Sequence, residues 1–187
     1  MNRLTEPIGP RDHMLGSPSA PAVLIEYGDY ACPHCARAHY EIAEVLRRVG
    51  NDVRYVFRQF PLTHLHPQAL LAAQAAEAAG AEGRFWPMHS LLFANQGTLE
   101  LDDLLGCAET IGIDPHRFAR DLQGGTYLPK IETDFRSGAS SGVHETPTFF
   151  LSGVRLDRGW DADTLTAAIR EVVSHGAPVP FRRPPTH

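Results

Sequence analysis

The chain has 187 residues, 43% of them hydrophobic and 21% charged, with a formal net charge of −5. This is an ordinary composition for one soluble globular domain with a sizeable core, and the mild acidity argues against nucleic acid as a partner. Three cysteines exclude a disulfide-rich scaffold, and no run is long and apolar enough for stable membrane insertion.

The first 19 residues are polar and carry Pro7, Pro10 and Pro18. They predict an irregular lead-in, without the apolar segment of a secretory signal. As the sequence begins, a cytoplasmic location is expected; an exported compartment is the alternative if a leader has been trimmed. Ala22-Val23-Leu24-Ile25 is a continuous apolar run of the kind a buried strand shows. A helix is expected from Pro33 to Val49, with Ile42, Val45, Leu46 and Val49 in its apolar stripe and Gly50 ending it. Val53, Tyr55 and Phe57 alternate with Arg54, Val56 and Arg58, which predicts a second strand. A right-handed crossover makes the two strands parallel.

From about His64 to Ser141 the pattern is helical and broken by glycines. Pro67 to Ala79 is Ala-rich, Phe85 to Phe93 is short and aromatic, and Leu101 to Ile111 is stopped by Gly112. Asp114-Pro115 offers a cap followed by proline at the first helical position, and Pro129 to Ser137 begins another segment. Pro147 to Leu151 returns to strand composition. Ser152-Gly153 is a two-residue turn signal, so Val154-Arg155-Leu156 can pair back as a hairpin. Asp161 caps a last helix that buries Leu165 and Ile169 and closes at Gly176. The Pro-rich tail, 176–187, is expected to be extended or disordered.

The chemistry concentrates in Glu26-Tyr27-Gly28-Asp29-Tyr30-Ala31-Cys32-Pro33-His34-Cys35. Pro33 fits the first turn of a helix, where a missing N–H costs nothing. Cys32 then sits at a helix N-terminus, whose unpaired N–H groups stabilise a thiolate. Cys35, one turn on, is placed to close a disulfide, and Cys-x-x-Cys near a βαβ pattern is a thioredoxin-class redox signature. The competing reading, half of a zinc site, lacks a second ligand pair. Glu26 lies on an apolar strand, where burial raises a carboxyl pKa. Asp29 is expected in an exposed turn, and Cys107 is expected to be an inert core thiol.

Cys-Pro-His-Cys resembles the bacterial DsbA family of thiol–disulfide oxidoreductases. Arg58-Gln59-Phe60-Pro61-Leu62, His66-Pro67-Gln68-Ala69, Phe85-Trp86-Pro87-Met88-His89 and Thr146-Pro147-Thr148-Phe149-Phe150-Leu151 resemble it too, from about Asp12 to about Ile169. The resemblance implies a thioredoxin fold with a helical insertion between the second strand and the cis-Pro strand. The domain is expected to be single over 1–187, with its core at about 20–62 and 142–175 and the insertion at about 63–141. The resemblance also implies that His34 stabilises the Cys32 thiolate, that Glu26 is the buried acid beneath the site, and that Pro147 is cis and sets the Thr146 backbone beside Cys32. Glu145 departs from the family pattern, which commonly has glycine before Thr-Pro.

The function implied is disulfide exchange with protein thiols and no bound cofactor. The expected partners are protein substrates with thiols or disulfides, and a redox recycling partner or glutathione. Two alternatives compete. Kappa-type glutathione transferases share a thioredoxin fold with a helical insertion but typically carry serine at this site. A redox-sensing or chaperone module without turnover is the other, since similar domains occur attached to transporters.

Overall fold

We describe the protein from a computed structural model, over residues 3–157 and 159–176. The tail after Gly176, expected to be extended, lies outside the described residues. The apolar run forms the central strand β2 (Ala22–Gly28), buried along its whole length. Burial on both faces explains why the run does not alternate. Val23, Ile25 and Tyr27 enter one core, while Ala22 and Leu24 enter the other. Strand parity therefore puts Glu26 on the Leu24 face, in the larger core.

Helix α1 (Pro33–Val49) follows and covers that face with Cys35, Ala38, Ile42 and Val45. Gly50, at φ 54°, ends it. The chain returns as β3 (Val53–Gln59), parallel to β2, with Leu24 opposite Tyr55 and Glu26 opposite Phe57. On the other side of β2 runs β4 (Thr148–Leu151), antiparallel, with Glu26 opposite Phe149. Ser152 and Gly153, at φ 47° and 84°, make the tight turn into β5 (Val154–Arg155). Positive φ at both central residues is what a two-residue hairpin of this kind demands.

Between β3 and β4 lie α2 (Ala69–Ala81), α3 (Phe85–Ala94), α4 (Leu101–Thr110), α5 (Pro115–Gln123) and α6 (Leu128–Ser140). Aromatic rings join this block to the sheet: Trp86 lies 5.7 Å from Tyr55 and Phe85 lies 6.2 Å from Phe57, centroid to centroid. Cys107 of α4 is buried in the same core as Leu104 and Ala108. Helix α7 (Ala162–His175) closes the structure against α1. Its first turn is held by Asp161, which accepts from the Thr164 N–H at 2.9 Å, and by Glu41 of α1, which accepts from the Ala162 N–H at 2.7 Å. Among the described residues no helix is long and apolar enough to cross a membrane.

The N-terminal segment corrects the sequence expectation. Instead of an irregular lead-in, His13–Leu15 forms β1, antiparallel to β3, which makes the sheet five-stranded in the order β1-β3-β2-β4-β5. Three residues are too few to show a period, so the strand depends on the edge that β3 offers. Arg58 fastens the segment: it donates two hydrogen bonds to the Asp12 carboxylate, at 2.8 and 3.0 Å, and others to the carbonyls of Glu6 and Pro7.

Candidate active site

Cys32 is the N-cap of α1, with Pro33 at the first helical position and no acidic residue in the first turn. A serine or aspartate oxygen commonly fills this place and accepts from the first N–H groups. Here the thiol makes no capping bond as such. The N–H groups of His34 and Cys35 instead favour its ionised form. The Cys32 pKa is lowered to about 5, first by the hydrogen bond from the Cys35 thiol, against the opposing effect of burial, then by Thr146 and these two N–H groups.

Thr146 faces the sulfur from the other side. In the dithiol form the Cys32 thiol donates to the Thr146 carbonyl at 3.4 Å. The Thr146 hydroxyl is buried and has no partner among the described residues. Once the Cys32 proton leaves, this hydroxyl is placed to donate to the thiolate alongside the Cys35 thiol. The Thr146–Pro147 bond is cis. Thr146, Pro147, the exposed His34, Arg155 and Trp160 line a groove of about 390 Å³ beside the start of α1. Glu145 stands exposed on its rim.

Cys35 is fully buried, and burial together with the Cys32 hydrogen bond and the Glu26 charge pushes its thiol well above the ordinary range. Glu26 lies beneath the pair, 1% exposed. Its Oε2 accepts from the Tyr55 hydroxyl at 2.6 Å, and its Oε1 has no hydrogen-bond partner among the described residues. Burial raises its pKa to about 8, against the lowering effect of Tyr55 and reinforced by the Cys32 charge. Gly28 helps to make the space: a Cβ there would fall 2.4 Å from the Phe57 ring and 3.2 Å from Glu26 Oε1. The fold thus brings together Glu26, Cys32, Pro33, His34, Cys35, Thr146 and Pro147, from three separate elements. Cys107 stays apart, in the helical block.

Two residues of the site escape sequence reasoning. Asp29, expected in an exposed turn, is 1% exposed. Its carboxylate accepts from the N–H of Ala31 at 2.8 Å and of Leu62 at 2.9 Å, and is paired with His66 Nδ1 at 2.8 Å. Its own N–H donates to Cys35 Sγ at 3.4 Å. The turn chemistry of Asp is visible in the sequence, but two of these carboxylate partners come from another loop. Gln96, between α3 and α4, donates from Nε2 to the carbonyls of Tyr30 and Cys32 at 2.7 and 2.9 Å. A glutamine beside a glycine in a loop carries no signal of such a role.

The sequence matches the family described as thioredoxin over residues 9–171. It is 44% identical over 167 residues to a Na(+)/H(+) antiporter NhaA 1 of Salinispora arenicola, a match covering 89% of this chain and 26% of that protein. For a Na(+)/H(+) antiporter NhaA of Herminiimonas arsenicoxydans the identity is 40%, again over 89% of this chain and 26% of the relative. The chain therefore spans about a quarter of the length of these curated relatives. Among solved structures, a thioredoxin-like oxidoreductase from Silicibacter pomeroyi superposes with a TM-score of 0.80 at 25% identity, covering 91% of this chain and 95% of that one. BdbD from Bacillus subtilis gives 0.79 at 24% identity, over 87% and 93% of the two chains. Wolbachia pipientis alpha-DsbA1 gives 0.79 at 21%, over 91% and 94%. The chain belongs to the thioredoxin family and has the DsbA-like form of its fold, with a helical block inserted between β3 and β4.

Proposed function

We propose that this chain is a thiol–disulfide oxidoreductase that exchanges disulfides with protein thiols through Cys32 and Cys35. One observation carries the reading: two thiols a helical turn apart are driven in opposite directions, Cys32 down to about 5 and Cys35 well up. Cys32 is the sulfur that attacks and is attacked, and Cys35 resolves. In the oxidising direction a substrate thiolate attacks Cys32 of the Cys32–Cys35 disulfide. That S–S bond breaks and Cys35 leaves, taking a proton from the neutral Glu26 carboxyl. A second substrate thiolate then attacks the substrate sulfur of the mixed disulfide, and Cys32 leaves as a stabilised thiolate. The substrate gains a disulfide and the enzyme gains two electrons. A partner disulfide, or oxidised glutathione, takes them back.

The other residues position these steps. Pro33 starts α1, and the main-chain N–H of His34 faces the sulfur while its ring borders the groove. The Thr146 and Pro147 backbone, at the bend that leads into β4, borders the groove where the substrate chain would lie. Turnover tests the reading: reduction of a protein disulfide by a dithiol, and oxidation of a reduced unfolded protein by oxidised glutathione, should both be accelerated. Cys32→Ser should bring both rates to background. Wild-type protein at background in both assays overturns the reading.

The likeness to a quarter of proteins named Na(+)/H(+) antiporters supports a second reading. In it the pair senses redox state for a transporter and need not turn over. The same two assays separate the readings.

A further inference from the structure

We propose that Gln96 is a positioning residue for the redox pair, its side-chain amide holding the Tyr30–Cys32 loop in the geometry from which Cys32 reacts. The inference rests on the exchange reading and adds a residue to it. Both bonds from Nε2 end on main-chain carbonyls, Tyr30 at 2.7 Å and Cys32 at 2.9 Å. Two acceptors require the NH₂ side of the amide, so its orientation is fixed and both its hydrogens are used.

The peptide it holds is the one on which α1 begins. The Cys32 carbonyl accepts from the N–H of Cys35 at 3.0 Å and of Ala36 at 3.2 Å. The adjoining N–H groups of His34 and Cys35 are those that favour the Cys32 thiolate. Fixing this carbonyl fixes their direction. The opposite end of the loop is fixed independently: Asp29 takes the Ala31 N–H in its carboxylate and the Cys32 N–H, at 3.1 Å, in its main-chain carbonyl. Gln96 is the one residue whose side chain reaches the Cys32 peptide in the hydrogen bonds of the described residues.

Local structure does not require this amide. The end of α3 is closed by Asn95, whose N–H and side chain both bond the Leu91 carbonyl. Thr98 bonds back to Asn95. The segment is thus terminated by its neighbours, while Gln96 points away, to a loop 64 residues earlier in the chain. The helical block therefore supports the reactive cysteine directly.

Two variants test this. Gln96→Met keeps the length and removes the donors; Gln96→Glu keeps the shape and sets an acceptor against two carbonyls. Gln68→Met serves as the control, since it loses only an exposed bond to Glu100. The readout is the pH dependence of Cys32 alkylation in the reduced 187-residue chain, with thermal unfolding recorded beside it. Both Gln96 variants should raise the midpoint by about half a pH unit or more, a roughly threefold loss of thiolate at mildly acidic pH, while Gln68→Met keeps the wild-type profile. If Gln96→Glu does not fold, Gln96→Met alone decides. A wild-type midpoint in Gln96→Met, whatever its stability, overturns the positioning role. Absence of selective Cys32 labelling in the wild type would instead strike at the exchange reading.

Discussion

A Cys35→Ser variant mixed with a disulfide-bearing protein should accumulate a covalent complex through Cys32 and lose turnover. That variant loses the Cys35 thiol, the largest lowering influence on Cys32, but keeps the His34 N–H, the residue-35 N–H and Thr146, and the serine hydroxyl can donate in the thiol's place. It can open the substrate disulfide, but no buried sulfur remains to release the product. Cys107 cannot substitute, because it lies in the core of the helical block and burial raises its thiol pKa. The complex should appear on non-reducing gels and vanish with a dithiol. Cys32→Ser should form none. A complex formed through Cys107, or full turnover without Cys35, would contradict the assignment of the two roles.

Glu26→Gln should stabilise the protein, and the gain should grow with pH. The carboxyl is raised from 4.5 to about 8, mainly by burial. The fold therefore favours the protonated form. The stability that this proton contributes is full below about 4.5 and is lost as pH rises toward 8. A shift of that size corresponds to roughly 5 kcal/mol across the window. Glutamine carries no charge to lose and can still accept from Tyr55. Urea unfolding of the oxidised protein, where Cys32 does not titrate, isolates the effect of burial without the smaller share that the Cys32 charge adds in the dithiol form. The wild type and variant should diverge through this range and run parallel above it. Curves parallel throughout would show that Glu26 is not held neutral, and would remove it as the proton source for Cys35.

Much of this was legible in the sequence, for local reasons. Pro33 and Gly50 bound α1 because one presets a helical φ without needing its N–H and the other tolerates positive φ. Asp114 and Asp161 cap α5 and α7 through side chains that accept from their own first turns. Ser152-Gly153 turns because both residues take positive φ. What stayed hidden depends on contacts distant in sequence. β1 exists because β3 has an open edge. Asp29 is buried because Leu62 and His66 bring partners to it, and Gln96 matters because α3 ends beside the redox loop. Such residues look like ordinary loop polar groups until the fold is in place.

The redox equilibrium of the Cys32–Cys35 pair in glutathione buffers tests the central claim most directly. A thiolate held at about 5 stabilises the reduced form, so the pair should give up its disulfide readily. The predicted result is a reversible Cys32–Cys35 disulfide with a potential clearly less negative than the roughly −270 mV of thioredoxin, where about 30 mV is a tenfold change in the equilibrium constant. A potential at or below that value, or a pair that never closes reversibly, would contradict the account.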